Sequence, residues 1–302
     1  MLLGAHVSTA GGLDRAFAAA EREGAGALQV FTKVSAQWRE PTLARGQVEA
    51  FRAAHRAFGG APLIAHDSYL VNLCADKEEL LARSRAALLA EVERCDALGV
   101  DFIAFHPGSA GTLPREAALA RVGESLSEVL AQTRGARTRL CLENTAGQGS
   151  AVGWSLEEIA TIVNATDDPA RVGVCLDTQH LFAAGYDLRD DAGYDAFFRE
   201  VEARLGVERV CCFHLNDSKR ALGERVDRHE EIGKGHIGAG AFHRLVNDPR
   251  FARVAGVLEL PPEVVGDNLA RLRAMVGAEP PAPTPPPVAP PPAARKPRKP
   301  RK

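Results

Sequence analysis

The segment RVGVCLDTQH, residues 171–180, indicates most clearly how this chain folds. Its apolar residues occupy both alternations of an extended chain, which is typical of a strand covered on both faces. The run ends in two polar side chains, Asp177 and His180. Strands of this kind belong in a parallel sheet flanked by helices, so the segment predicts an α/β protein.

The same pattern repeats along the chain. Longer amphipathic segments, such as residues 77–99 and 115–130, alternate with the apolar runs and predict helices. Eight such units in about 275 residues match a (β/α)8 barrel in number and size. The other predicted strands are LLGAHVS (2–8), ALQVFTK (27–33), PLIAHDS (62–68), VDFIAFHPG (100–108), TRLCLENTAG (138–147), VERVCCFHLND (207–217) and VAGVLEL (254–260).

A doubly wound open sheet is the main alternative fold. Such a sheet usually carries a glycine-rich phosphate-binding turn, G-x-G-x-x-G, after its first strand. The stretch STAGG at residues 8–12 contains glycines but lacks that spacing. We therefore favour the (β/α)8 barrel, with an active site at the C-terminal ends of its strands.

The bulk composition is that of an ordinary globular protein, with 302 residues, 45% of them apolar and 25% charged. No apolar stretch is long enough to span a bilayer, and the N-terminus lacks a signal-peptide pattern, so we expect a cytoplasmic protein. None of the six cysteines forms a C-x-x-C pair. This spacing predicts buried, reduced thiols and argues against a thiolate zinc site. Nothing in the sequence indicates an oligomer, and we expect a monomer.

The composition changes after Glu279. Residues 280–302 are rich in proline and have almost nothing to bury, so we expect a disordered, basic tail after a barrel domain of residues 1–279. The tail carries six basic residues, so the formal net charge of −2 corresponds to −8 on the remainder. We expect the tail to bind a polyanion, with a passive solubilising tail as the alternative.

Histidines and acids gather at the C-terminal ends of the predicted strands. A barrel brings these ends around one mouth, so we expect the side chains to converge. Each residue alone is compatible with an ordinary rim or capping role, but together they predict a metal centre, because buried charges are usually paired or bound to metal. The set is His66, His106, Glu143, Asp177, His180, His214, Asp227, His229 and Glu259.

The mixture of ligand types favours zinc or a similar transition metal, because magnesium and calcium prefer mostly oxygen ligands. Nine ligands exceed what one zinc ion uses, and three ions fit if a carboxylate bridges two of them. Asp227 and His229 are two residues apart, and in an extended segment they point to the same side. Clustered zinc ions are typical of phosphoryl chemistry, since they activate water and stabilise the attacking and leaving oxygens.

Seven segments resemble the endonuclease IV family of apurinic/apyrimidinic DNA endonucleases. The resemblance extends over nearly the whole chain up to the tail, and the segments follow the family's order. They are GAHVSTAGGL (4–13), HDSYLVNL (66–73), FHPGS (105–109), LENTAGQGS (142–150), GVCLDTQHLFAAGYD (173–187), HLNDSK (214–219) and RVDRHEEIGKGHIG (225–238).

The resemblance implies a barrel that holds three zinc ions. It also implies that Glu143 is the catalytic residue, which bridges two ions and accepts a proton. The implied ligands are His66, His106 and Glu143 for the first ion, Glu143, Asp177, His214 and Glu259 for the second, and His180, Asp227 and His229 for the third.

The resemblance further implies a zinc-dependent deoxyribonuclease. The family cleaves duplex DNA on the 5′ side of an abasic site, leaving a 3′-hydroxyl and a 5′-deoxyribose phosphate, and it removes blocking groups from 3′ ends. Extrusion of the abasic nucleotide into a pocket would give selectivity, because such a nucleotide has already lost its pairing. The implied DNA-binding residues are Lys33, Gln37, Trp38, Tyr69, Leu70 and Arg228.

Four positions depart from the family pattern. Ala36 stands where a longer polar side chain, often Arg, commonly fills the gap left by a flipped nucleotide. Gln179 replaces a usual Cys, and Glu224 replaces a small residue. Leu260 and the two prolines after it follow Glu259, where the family usually has a Thr. None of these changes removes an implied metal ligand.

Two other functions stay open at this point. A sugar isomerase or epimerase has a similar barrel with one or two divalent ions, in sites that rely mainly on carboxylates. The trio His180, Asp227 and His229 distinguishes the nuclease from that class. A catalytically silent binder of damaged DNA is supported only by the basic tail and Ala36.

Overall fold

The computed structural model describes residues 1–281, and in this part eight parallel strands close into a barrel. The barrel confirms the predicted fold. Its strands are β1 (Leu2–His6), β2 (Leu28–Val30), β3 (Leu63–His66), β4 (Phe102–Phe105), β5 (Arg139–Glu143), β6 (Val172–Asp177), β7 (Val210–His214) and β10 (Ala255–Leu258). Sequential strands pair, and β10 closes the barrel between β7 and β1. The predicted tail lies outside the described residues from residue 282 onward.

Helices follow the barrel strands and cover the outside of the barrel. Among the described residues, no helix is long and apolar enough to cross a membrane. The helices are α1 (Arg15–Arg22), α2 (Arg45–Ala57), α3 (Glu78–Leu98), α4 (Arg115–Gln132), α5 (Leu156–Asn164), α6 (Thr178–Ala184), α7 (Asp191–Arg204), α8 (Ala239–Asn247) and α9 (Pro262–Met275). The two helical segments predicted at 77–99 and 115–130 correspond to α3 and α4.

The strands place polar residues on the C-terminal rim of the barrel. The rim residues are His66, His106, Glu143, Asp177, His214 and Glu259. Side chains alternate along a strand, so the residue two positions before each of them faces the barrel interior as well. These positions hold small or apolar side chains that pack into one buried cluster, an apolar floor beneath the rim. The floor residues are Ile64, Ala104, Cys141, Cys175, Cys212 and Val257. All six cysteines are buried free thiols, in agreement with the prediction.

The transition from β6 to α6 is abrupt and brings His180 to the rim. Asp177 ends the strand and caps the helix, since its Oδ1 accepts a hydrogen bond from the backbone N–H of His180 at 2.9 Å. The sequence predicted that His180 ends the sixth strand, which is wrong by one element. His180 lies in the first turn of α6, because the capping carboxylate starts the helix immediately after the strand.

A two-stranded hairpin rises above the end of β7. It pairs β8 (Asp217–Ser218) with β9 (His229–Glu230), and residues 219–228 form the loop between them. The buried carboxylate of Asp217 accepts backbone N–H groups from residues 218, 233, 235 and 237, at 2.7–3.1 Å. Burial raises the pKa of Asp217. A Cβ on Gly235 would lie 2.4 Å from this carboxylate, so only glycine fits there.

Candidate metal centre

The structure brings all nine predicted ligand side chains to one mouth of the barrel. Eight of them form three overlapping groups, and within each group the ligand atoms all lie within 4.8 Å of one another. Glu143 belongs to the first two groups and Asp177 to the last two. The groups are His66, His106 and Glu143; Glu143, Asp177, His214 and Glu259; and Asp177, His180 and His229.

Asp227, the ninth residue, lies beside the third group. Its Oδ2 is 3.3 Å from Nε2 of His180, and its Oδ1 is 3.3 Å from Nε2 of His229. The side chains of Asp227 and His229 therefore converge, as their spacing predicts. Asp227 is half-exposed, in contrast to the buried His180, so this group stands at the solvent side of the centre.

Glu143 lies at the middle of the centre and is completely buried. Its Oε2 is 3.1 Å from Nε2 of His66 and 3.5 Å from Nε2 of His106, while Oε1 is 3.0 Å from Nδ1 of His214. Burial alone would raise the pKa of Glu143, but the charges of His106 and His214 outweigh that effect and hold it well below its usual range. The carboxylate is therefore ionised among several imidazoles.

Hydrogen bonds to the far side of the rings orient the histidines. Nδ1 of His66 lies 2.8 Å from the carbonyl oxygen of Asp67, and Nδ1 of His180 lies 2.9 Å from that of Asn144. A carbonyl oxygen only accepts, so Nδ1 carries the proton in both rings. The other nitrogen, Nε2, then faces a carboxylate: Glu143 in the case of His66 and Asp227 in the case of His180. Hydrogen bonds from the opposite ring nitrogen orient metal-binding histidines in the same way.

Three buried amide side chains were missed by sequence reasoning. Asn144 Oδ1 accepts the backbone N–H of Asp177 at 2.7 Å. Asn216 donates from Nδ2 to Asp177 Oδ2 at 2.7 Å and accepts the backbone N–H of Glu259 at 3.1 Å. The third, Gln29, contacts Glu259 at 2.8 Å. The sequence feature that could have indicated these residues is their position, since each polar side chain lies within or directly after an apolar run.

Without a cation, the carboxylates of the centre favour protonation of two buried histidines, His180 and His214. Burial opposes protonation of His214, but the carboxylates of Glu259 and Glu143 outweigh it and raise the pKa of His214 well above its usual value. Burial likewise opposes protonation of His180, and Asp177 and Asp227 reverse the balance and raise its pKa. The centre therefore gathers positive charge even without metal.

The donor set fits a transition metal. Nε2 of His229 is buried and has no hydrogen-bond partner within the described residues, although Asp227 Oδ1 lies 3.3 Å away and Asp177 Oδ2 3.8 Å away. An unpartnered imidazole nitrogen facing two carboxylates is costly unless a cation joins them. The mixture of imidazole and carboxylate groups is the kind that zinc and related ions prefer.

Two cavities open on either side of Tyr69, which is 62% exposed. One, of about 660 Å³, is lined by His6, His229 and Glu259 among others. The other, of about 620 Å³, is lined by residues that include His106. Both cavities reach the metal-ligand groups, so two approaches lead to the same centre.

The predicted DNA-binding residues differ in how far they reach the surface. Gln37 and Arg228 are exposed, whereas Leu70 is half-buried. Arg228 donates to the carbonyl oxygen of Asp227 at 2.5 Å, which places it beside the third ligand group. Tyr69, Leu70 and Arg228 line the second of the two cavities.

Lys33 and Trp38 lie deeper than the other predicted contacts. The side chain of Lys33 is 4% exposed, and its Nζ is 2.5 Å from Oε1 of Glu40. Trp38 is half-buried, and the guanidinium of Arg83 lies 4.6 Å from its ring centre. In this structure both side chains are occupied by contacts within the protein.

Two glutamine side chains hold the loop that carries Asp227 through hydrogen bonds to its backbone. Gln148 Oε1 accepts the backbone N–H of Asp227 at 3.2 Å, and the buried Gln179 donates to the carbonyl oxygen of Val226 at 3.0 Å. The guanidinium of Arg225 lies 4.1 Å from the ring centre of Trp154. Gln179, a departure from the family pattern, thus links the helix of His180 to the loop of Asp227.

The chain matches known proteins over almost all of the barrel. A model of the xylose isomerase-like TIM barrel family matches residues 17–275. The probable endonuclease 4 of Chloroflexus aggregans (strain MD-66 / DSM 9485) is 45% identical over 277 residues, which cover 90% of this chain and 97% of that protein. The crystal structure of endonuclease IV from Thermus thermophilus is 40% identical with a TM-score of 0.82, covering 91% of this chain and 98% of that chain.

Other barrels resemble this chain in fold alone. The crystal structure of a D-tagatose 3-epimerase-like protein has a TM-score of 0.69 at 15% identity, and covers 91% of this chain and 97% of that chain. A shared barrel does not show a shared activity. The endonuclease matches are different, because they combine high identity with nearly complete coverage of both chains. This chain therefore belongs to the endonuclease IV family and is a nuclease of DNA repair.

Proposed function

We propose that this nuclease hydrolyses the phosphodiester on the 5′ side of abasic sites in double-stranded DNA with a cluster of three zinc ions. The products are a 3′-hydroxyl and a 5′-deoxyribose phosphate, and the same site clears blocked 3′ ends. The observation that carries the proposal is the convergence of nine imidazole and carboxylate side chains at one mouth. We also propose that it acts as a monomer in the cytoplasm.

The overlap of the ligand groups supports a cluster over three separate sites. Glu143 directs one oxygen toward His66 and the other toward His214, so it would hold the first and the second ion together. The proposed ligands are His66, His106 and Glu143 for the first ion, Glu143, Asp177, His214 and Glu259 for the second, and His180, Asp227 and His229 for the third.

Bound zinc supplies a water of lowered pKa and positive charge for the oxygens of the phosphate. Glu143 is the proposed catalytic residue, which holds the cations together and accepts the proton released during hydrolysis. The apolar floor closes the centre from below, so water and substrate enter only from the open rim. Exclusion of bulk water strengthens every charge interaction at the phosphate.

The cavities beside Tyr69 support a substrate with a nucleotide turned out of the duplex. An abasic nucleotide has no pairing to lose and costs least to extrude. Tyr69, Leu70 and Arg228 line one of these cavities, and together with the exposed Gln37 they are the proposed contacts with DNA. Lys33 and Trp38 would reach DNA after the loop of residues 31–40 opens, because Glu40 and Arg83 now hold them.

A cleavage assay on end-labelled duplexes tests this function. Metal-loaded protein is expected to cut a duplex with one abasic site on its 5′ side, and to leave the same duplex without the site intact. Removal of zinc with a chelator, or Glu143→Gln, is expected to abolish cleavage, and added zinc restores the chelated enzyme. Interconversion of sugars with an intact duplex would establish an epimerase or isomerase instead. Binding without cutting would establish a silent binder.

A further inference from the structure

Gln29 occupies a central place beneath the rim, although it offers no ligand of its own. It lies in β2, is completely buried and faces the barrel interior next to His214 and Glu259. Its Oε1 is 2.8 Å from Nε2 of His214, and its Nε2 is 2.8 Å from Oε1 of Glu259 and 3.0 Å from Nδ1 of His6.

The partners leave one orientation for the amide of Gln29. The Glu259 carboxylate lies 3.3 Å from Nδ1 of His214 and accepts a hydrogen bond from Nδ2 of Asn216 at 3.4 Å. An ionised carboxylate can only accept hydrogen bonds. The group that Gln29 turns toward Glu259 must therefore be its NH2. Its carbonyl oxygen then faces His214, and an oxygen can only accept. Both N–H groups and the carbonyl oxygen of the amide therefore have a partner.

This orientation decides which nitrogen of His214 carries a fixed proton. Nε2 must donate to Gln29, so Nδ1 is the nitrogen that remains for a ligand. Nδ1 faces Glu143 at 3.0 Å, Glu259 at 3.3 Å and Asp177 at 3.9 Å. These three acids are the other members of the four-residue ligand group that contains His214.

We propose that Gln29 is a positioning residue of the metal centre, which fixes the ring of His214 and the carboxylate of Glu259 for the second ion. The inference rests on the proposed zinc cluster. The amide joins two ligands that come from different strands, β7 and the end of β10. One side chain thereby sets both the angle of an imidazole and the direction of a carboxylate, as outer partners do in metal sites.

Gln29→Met tests the role with little change in side-chain volume. We expect one zinc ion to be lost about 10–100-fold more readily to a chromophoric chelator, while the other ions are held as in wild type. Gln29→Asn, which is too short to span both partners, is expected to act in the same direction and serves if the Met variant folds poorly. Thr138→Val is the matched control, because it removes a buried hydrogen bond to Val100 at the far end of β5 and is expected to leave zinc binding unchanged.

A second readout does not depend on metal. In chelated protein the Nε2 proton of His214 is expected to exchange slowly with solvent, followed by NMR of 15N-histidine-labelled protein and assigned through His214→Asn. Gln29→Met is expected to speed this exchange at least tenfold. Zinc affinity equal to wild type in both variants would overturn the proposal, whether or not the exchange changes.

The two measurements separate this proposal from the proposed function. If wild-type protein takes up no zinc, the zinc cluster fails as a whole. Proton exchange then decides alone whether Gln29 fixes the ring of His214, and an unchanged rate would overturn that role as well. We expect chelated Gln29→Met and chelated Thr138→Val to have equal thermal stability. Weaker zinc binding in Gln29→Met alone is then not caused by a general loss of fold stability.

Discussion

Oε1 of Glu143 lies 3.0 Å from Nδ1 of His214, and both side chains are closed off from solvent. An isolated carboxylate in this position would be strongly unfavourable, so the histidine and the carboxylate depend on each other. In the metal-free protein the pair is held by a proton. The same two atoms are those that the proposed second ion would join. Stability and metal binding are therefore linked at one contact.

Glu143→Gln is expected to destabilise the metal-free protein by about 3 kcal/mol near pH 6, because it leaves buried imidazolium groups without their counter-charge. The loss should shrink at alkaline pH, where the imidazoles are neutral. Urea unfolding of chelated protein at the two pH values measures both effects. Glu49→Gln, at an exposed pair with Arg45, is the control and should change neither. Equal losses at both pH values would contradict this account.

Zinc binding is expected to release protons and to weaken as the pH falls. The pKa values of His180 and His214 are raised, because neighbouring carboxylates outweigh the effect of burial. Zinc needs the neutral rings, so the protons must leave. In the metal-free fold these pairs stabilise most below the ordinary histidine pKa of about 6.5, and the benefit is lost as the pH rises through the raised values. Zinc affinity is therefore expected to increase over the pH range in which the stabilisation by these pairs is lost.

Calorimetry in buffers of different ionisation enthalpy counts the released protons. More protons should leave at about pH 7 than at about pH 9. His243→Asn, in α8 and away from the centre, should leave the count unchanged. A count that does not vary with pH would show that the histidines are neutral before zinc arrives.

Gln179→Ala is expected to loosen the loop of residues 219–228 by removing the hydrogen bond to Val226. The loop contains Arg225 and Arg228, so trypsin reports its opening directly. Cleavage there should become severalfold faster, while the overall unfolding midpoint changes little. Gln37→Ala, which changes an exposed glutamine outside this loop, is the control. Cleavage as slow as in wild type would show that Gln148 and the Trp154 contact suffice to hold the loop.

Gly235→Ala is expected to cost about 3 kcal/mol or more, since the added Cβ would meet Asp217 Oδ1 at 2.4 Å and the Ser218 carbonyl oxygen at 2.5 Å. Gly46→Ala, in α2, meets nothing within 4 Å and should stabilise the protein by up to about 1 kcal/mol. Urea unfolding midpoints of the two variants should move in opposite directions. A shift of the same sign would mean that the hairpin yields to accommodate the methyl group.

Removal of residues 280–302 is expected to leave cleavage intact and to weaken binding to DNA. Six basic residues lie in this tail, and each one that neutralises a phosphate should add about 0.9 to the steepness with which log affinity falls against log salt. The truncated protein should therefore show a shallower salt dependence. A full-length variant with the six residues changed to Gln separates charge from length. Identical salt slopes with and without the tail would assign it a passive role.

The barrel and the convergence of histidines and acids at its mouth could be predicted, because both follow from local patterns. Each apolar run predicts a strand. A parallel barrel brings the C-terminal ends of its strands to one rim, together with the polar residue at each end. The role of Gln29 could not be predicted, because it depends on how the side chains of His214 and Glu259 are oriented relative to each other. Sequence spacing does not contain this information. The inward pairing of Lys33 with Glu40 was hidden for the same reason. His180 was placed on a strand, because the cap by Asp177 leaves no gap in the sequence before the helix.

The hairpin of β8 and β9 has an evolutionary consequence. Of the nine proposed ligands, only Asp227 and His229 belong to this hairpin and its loop. The others lie on the barrel strands, directly after them, or, in the case of His180, in the first turn of α6. A shorter connection after β7 would delete that pair and preserve the remaining seven. Under the proposed assignment, a barrel without this insertion would keep the ligands of the first two cations and only His180 of the third. The proposed third cation could therefore be gained or lost through one surface insertion, while the closed sheet stays the same.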